Sequence, residues 1–222
     1  MSERTDTGGP GAEPSGHELP RLVEVMTRLR RECPWDARQT HLSLVKHLVE
    51  ECAETVDAIE YGSPEDLREE LGDVLMQVVF HSLLACEDGA FTLDEVIDSA
   101  ADKLIARHPH VYEGADLPRD LDSSWETRKK AAKPRASCLD GIADSLPSLA
   151  RAAKVAQCEH NGGPDVASAG AEPISAQEAG EQILQIVRRA QISGVDVDQA
   201  TRAAVRRWEE QIRATEKDRA SA

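Results

Sequence analysis

Apolar residues return every three or four positions along most of this chain, the period of a helix buried on one side. Leu22, Val25, Met26 and Leu29 predict a first helix from Leu22 to about Arg31, stopped by Cys33-Pro34-Trp35-Asp36. Val45, Leu48, Val49, Cys52, Val56 and Ile59 predict a second, from about Leu42 to Glu60. Ser63 followed by Pro64 is a good cap and first-turn pair for a third. Its core face would be Leu67, Leu71, Val74, Leu75, Val78 and Leu83, and Asp88-Gly89 ends it. Thr92 caps a fourth, which runs to about Arg107 before His108-Pro109 breaks it. Shorter helices are expected near Ser124 to Ala132 and Leu149 to Cys158, with a connector at 133–147. Two more run from about Ser175 to Gln191 and Asp196 to Glu216. No segment alternates with period two, so the expected class is all-α, with no sheet of consequence.

Composition marks the segment limits. Residues 1–19 are rich in Gly, Pro, Ser, Thr and Glu and read as a disordered tail; 159–174, rich in Gly, Ala and Pro, read as a flexible linker. A main domain is expected over 20–158 and a smaller helical segment over 175–222. Aromatics make up only 3% of the 222 residues, so the core must be aliphatic, which suits helix packing. Net charge is −15, which argues against nonspecific nucleic-acid binding. No leader-like apolar segment opens the chain and none is long enough to cross a membrane. Five cysteines without a Cys-x-x-Cys pair fit reduced thiols in a cytoplasmic protein.

Candidate chemistry lies in two acidic pairs. Glu51 and Glu54 are spaced i, i+3 in the second helix, and Glu70 and Asp73 share that spacing in the third. Tyr61-Gly62-Ser63-Pro64 between them is a turn that would fold one helix back on the other. Two carboxylates about 4 Å apart repel by roughly 4 kcal/mol at an effective dielectric of 20. Four together call for cations or protons, and Mg²⁺ prefers oxygen ligands. A single acidic pair is more often a solvated helix face. Two pairs opposed across a hairpin bring the readings level. Glu50 and Glu69 could back such a site or face solvent.

Lys103 and Arg107, i, i+4 near a helix C-terminus, suit either phosphate oxygens or the helix dipole. Trp35, in a turn before the second helix, could stack on a base or anchor the surface; Trp125 invites the same reading more weakly. His108 and His110 fit a polar turn better than a metal pair. Gly-rich phosphate loops and nucleophile motifs are absent from the sequence.

Cys33-Pro34-Trp35-Asp36, Gln39-Thr40-His41, Glu50-Glu51-x-x-Glu54, Glu70-Leu71-Gly72-Asp73, Arg107-His108-Pro109-His110-Val111-Tyr112 and Trp125-Glu126 follow one another in order. Together they resemble the MazG family of nucleoside triphosphate pyrophosphohydrolases, collinearly from about residue 20 to 158. The resemblance implies a four-helix-bundle-like core, dimerisation, and Mg²⁺-dependent hydrolysis of nucleoside triphosphates to the monophosphate and pyrophosphate, with Mn²⁺ as a substitute. It implies metal ligands at Glu51, Glu54, Glu70 and Asp73 and phosphate contacts at Lys103 and Arg107. Trp35 and Trp125 would lie near the substrate. Longer relatives carry two copies of the domain. Here Glu178-Ala179-Gly180-Glu181 keeps part of one acidic block and no Glu-Glu-x-x-Glu precedes it, so 175–222 reads as a degenerate second copy. The alternatives are a related dUTP or phosphoribosyl-ATP pyrophosphohydrolase, and a non-enzymatic helical module whose acidic face binds a basic partner.

Overall fold

The computed structural model describes residues 18–118, 121, 128, 136–161, 163–164 and 172–221. These form helices throughout, with no strand among the described residues. The helices are α1 (Leu19–Glu32), α2 (His41–Tyr61), α3 (Pro64–Glu87), α4 (Leu93–Arg107), α5 (Pro109–Tyr112), α6 (Ser148–His160), α7 (Ala176–Ile192) and α8 (Val197–Ser221). A 3₁₀ turn, Asp36–Arg38, joins α1 to α2. The chain divides into two compact units, 1–105 and 106–222. The expected helix near Ser124 to Ala132, and Trp125 with it, lies outside the described residues except for Arg128.

The first unit is built on the α2–α3 hairpin, against which α1 packs. Local sequence sets the hairpin's ends. Thr40 and Ser43 form a reciprocal capping box at the start of α2, and Ser63 and Asp66 form one at the start of α3. Gly62 closes α2, donating its N–H to the Ala58 carbonyl. A Cβ at Gly62 would sit 2.8 Å from the Ala58 backbone, so the tight turn requires glycine there. The core is Met26, Leu44, Val79, Phe80 and Leu84, with Leu19, Leu22, Val23, Met76, Leu83 and Leu93 around it.

The expected core stripe of α2 is not in that core. Val45, Val49, Val56 and Ile59 are exposed, and α2 buries Leu44 and Ala58 instead. On α3, Leu71, Leu75 and Val78 are likewise exposed, while Val79, Phe80 and Leu84 are buried. Periodicity finds the apolar face of each helix but not what covers it. Here the two helices meet along an adjacent face, and both stripes stay uncovered within the unit.

At the hairpin's open end His41 and His81 meet Nδ1 to Nδ1 at 2.7 Å. Their ring centroids are 5.0 Å apart and their planes differ by 13°. The centroid separation exceeds the nitrogen separation by about two ring radii. The rings therefore lie end to end and share one N–H···N bond, rather than stacking face to face. Burial, then the His41 charge, lowers the pKa of His81.

In the second unit α6 and α7 pack on α8. Leu139, Val155, Cys158, Val205 and Ile212 form its core. Trp208, half-buried beside that core, donates its indole N–H to buried Glu159 at 3.0 Å. Arg151 is bidentate to Glu209 and also reaches Asp144. α4 ends at Arg107, at the break expected at His108-Pro109, and Pro109 then opens the short α5, because proline is well placed in a first turn. The all-reduced expectation for the cysteines needs correction. Cys138 and Cys158 are joined in a disulfide, their Cα atoms 5.6 Å apart, while Cys33, Cys52 and Cys86 are free. Their separation of 20 residues carries no spacing signal; the fold brings them together.

Candidate metal centre

The hairpin turn sets which acidic residues meet. Glu51 and Asp73 stand at matching depths from Gly62-Ser63, one on each helix, and Glu70 lies one turn from Asp73 toward the hairpin tip. One carboxylate oxygen from each of Glu51, Glu70 and Asp73 lies within 4.8 Å of the others, and all three residues are half-buried. Glu54 is more exposed and outside this trio. Its charge still acts on Glu51 and Glu70.

Electrostatics register the crowding. Burial raises the Glu51 pKa, and the charges of Asp73, Glu54, Glu50 and Glu70 raise it further. Glu70 is raised by burial, then by Glu54, Asp73, Glu69 and Asp66. Glu70 Oε2 is buried and has no hydrogen-bond partner. An arrangement that repels itself and leaves a buried oxygen unpaired suits a hard divalent cation, which takes several oxygen ligands and cancels the repulsion. The donor set fits such an ion.

Glu50, outside the trio, pairs with His47, one turn before Glu51 on α2, at 3.6 Å. His47 in turn meets the Trp35 indole edge-on, centroids 5.9 Å apart and planes at 66°. Sequence reasoning passed over His47, since a lone histidine carries no spacing signal. Trp35 is about half exposed, yet its loop is tightly held. Gln39 donates to the Trp35 carbonyl at 3.0 Å and accepts from Ser43 at 2.7 Å. Arg30 donates to the carbonyls of Asp36 and Gln39 and is bidentate to Glu87. Lys103 is exposed on α4; Arg107, half-buried, ends that helix one turn later.

An all-α hairpin with carboxylates from both arms is a framework that can hold a divalent metal ion. The comparisons with known proteins make this specific. Residues 39–112, which hold both acidic pairs, match the MazG nucleotide pyrophosphohydrolase domain. A 26.1 kDa protein from the blaB 3′ region of Streptomyces cacaoi is 41% identical over 91% of this chain and 86% of its own length. The nucleoside triphosphate pyrophosphohydrolase/pyrophosphatase MazG of Thermotoga maritima is 34% identical, covering 88% of this chain and 84% of that protein. The nucleoside triphosphate pyrophosphohydrolase of Escherichia coli K12 is 35% identical over 82% and 73%. A crystal structure of a MazG-related protein from Thermotoga maritima aligns with a TM-score of 0.44 and 27% identity, over 50% of this chain and 98% of that one. The chain belongs to the MazG family of nucleoside triphosphate pyrophosphohydrolases and is a hydrolase.

Proposed function

We propose that this protein is a Mg²⁺-dependent pyrophosphohydrolase that cleaves nucleoside and deoxynucleoside triphosphates at the α-phosphorus, releasing the monophosphate and pyrophosphate. The carrying observation is the Glu51–Glu70–Asp73 cluster with its unpaired buried oxygen. Together with Glu54, these residues would hold the metal. Mg²⁺, or Mn²⁺ in its place, supplies Lewis-acid polarisation of phosphoryl oxygens and lowers the pKa of a bound water. Glu51 or Glu54 orients the attacking water and accepts its proton. Lys103 and Arg107, one turn apart, match the charge of the triphosphate. Trp35 takes the base, and Trp125 is proposed to lie near it. The physiological role is removal of non-canonical nucleotides.

The active form is a homodimer. Val45, Val49, Val56, Leu71, Leu75 and Val78 are each 40–64% exposed, on two adjacent helices of one hairpin. A soluble chain rarely leaves so much aliphatic surface uncovered. The surface acidity that disfavours nucleic acid, and the lack of any described helix long and apolar enough to cross a membrane, fit a cytoplasmic enzyme.

The test is product analysis with each triphosphate, canonical and oxidised, with dUTP and phosphoribosyl-ATP alongside. Monophosphate plus pyrophosphate is expected, and Glu70→Ala should lower turnover at least a hundredfold. Nucleoside diphosphate plus orthophosphate would refute the cleavage position. Full activity in Glu70→Ala would refute the site.

A further inference from the structure

Trp35 is a large apolar side chain held rigidly outside the core. Exposed tryptophans that merely tolerate solvent need no such fixing. Here Gln39, held by Ser43, and Arg30 fix the backbone from the Trp35 carbonyl to that of Gln39, and Arg30 anchors the loop to the end of α3 through Glu87. Such fixing lowers the entropy lost when a ligand stacks on the ring.

The ring has a second wall. His47 stands at 66° to it, in contact at its edge, so the two rings form a corner. A flat ligand stacked on the indole would meet His47 at its rim. The His47 Nδ1 lies 3.6 Å from a Glu50 carboxylate oxygen, beyond hydrogen-bond reach, and the negative charge there favours the proton on that nitrogen electrostatically. Nε2 is then left with a lone pair, an acceptor for an N–H on the ligand's edge. His47 lies one turn, about 5.4 Å along α2, from Glu51. That spacing is of the order of a ribose between its 5′ oxygen and its base. A nucleotide whose phosphates sit at the carboxylates would thus bring its base to the corner. Glu50 also finds its role: it positions His47 rather than the metal.

We infer that His47, held by Glu50, reads the edge of a nucleobase stacked on Trp35, and that it favours bases carrying an exocyclic amino group. The inference rests on the proposed nucleotide substrate, and it assigns His47 a task that the carboxylate cluster does not. One net hydrogen bond at a half-exposed site predicts a CTP over UTP preference of about three- to tenfold in kcat/KM. These two substrates differ at C4, amino against carbonyl.

The experiment has two arms. In the first, kcat and KM for CTP and UTP are measured for the full-length protein, His47→Phe, Glu50→Gln and Trp35→Ala. His47→Phe keeps a flat ring but no acceptor, and should bring the CTP/UTP ratio in kcat/KM to about one. Glu50→Gln should shrink the ratio. Trp35→Ala should raise KM for both substrates by at least fivefold. In the second arm, CMP and UMP are titrated without metal, following tryptophan fluorescence; quenching by CMP should vanish in Trp35→Phe. An unchanged ratio in His47→Phe overturns the inference while leaving the hydrolytic reading intact. Hydrolysis absent but Trp35-dependent quenching stronger for CMP than UMP sinks the hydrolytic reading and upholds the corner.

Discussion

Arg30→Met should be the most damaging conservative change outside the acidic cluster. The Arg30 side chain is only 17% exposed, and its donors are spent on four acceptors. The Glu87 pair is half exposed on the acidic side, so solvent screening holds its worth to about 1 kcal/mol. The Asp36 and Gln39 carbonyls lose a charged donor, at about 1 kcal/mol each. Methionine keeps much of the stem's packing, so about 3 kcal/mol is the expected loss. For a unit of this size that is a Tm drop of about 12 °C or more, read by calorimetry on the first unit's transition. The sign with pH is fixed. The Arg30 hydrogen bond lowers the Glu87 pKa, so this part of the stability is present above the ordinary glutamate value, about 4.3, and fades as pH falls through the lower folded value. The gap between the native protein and the variant should narrow below about pH 4 by the ion-pair share. A Tm change under 3 °C at pH 7, or a gap that stays constant down to pH 3, would refute this account. Because Arg30 also fixes the Trp35 loop, the variant's KM should rise more than its kcat falls.

Adding Mg²⁺ should stabilise the first unit by about 2.7 kcal/mol at a hundred times its Kd, and thermal unfolding against metal concentration reads it. Glu70→Gln should lose that gain yet be more stable than the native chain without metal at pH 7. The Glu51 and Glu70 pKa values are raised by folding, so the metal-free fold loses stability as pH rises from the unfolded carboxylate range through the raised values. A metal-free Glu70→Gln less stable than the parent at pH 7 would contradict this. Reducing the Cys138–Cys158 link, whose loop spans 20 residues, should cost the second unit about 3 kcal/mol. The matching measurement is urea unfolding with and without a reductant, with a Cys138→Ser/Cys158→Ser variant as control; an unchanged midpoint would rule it out.

Caps and turns were legible because their chemistry is local. Ser63 and Pro64 start a helix where their side chains predict, in the turn that Gly62 shares, whereas the Thr40 cap lies two residues before the expected start at Leu42. The acidic pairs were legible because i, i+3 spacing fixes a helical face and the turn fixes the opposing arm. What joined them was less so. Glu54 and Glu51 share a helix face in sequence, but in the fold the trio within 4.8 Å takes Glu51, with Glu70 and Asp73, and not Glu54. The His41–His81 bond, the Trp35–His47 corner and the Cys138–Cys158 link join residues far apart in the chain or of no regular spacing. Side-chain periodicity carries no record of such pairings. The aliphatic stripes show the same limit from the other side: correct as apolar faces, wrong as the core of one chain.

Those uncovered stripes bear on the acidic cluster itself. Glu51, Glu70 and Asp73 lie between the capped turn of the hairpin and the aliphatic core at its open end, where Leu44, Val79 and Phe80 pack. The mutual repulsion of these carboxylates favours splaying the arms there. A second copy laid on the Val49 and Leu75 faces would clamp the same stretch of both helices from outside. A cation would clamp it from within. Each would then lower the cost of the other, so metal binding and self-association must be reciprocally coupled. A coupling of 1–3 kcal/mol is typical of linked sites, which is about a 5- to 150-fold change in affinity. Sedimentation equilibrium with and without Mg²⁺ measures it: the dimer dissociation constant should fall when metal is present. Val49→Glu with Leu75→Glu should give a monomer that binds Mg²⁺ more weakly, although neither residue touches the metal. A dimer constant indifferent to Mg²⁺, or a monomeric variant with native metal affinity, would mean that the two surfaces of the hairpin act independently.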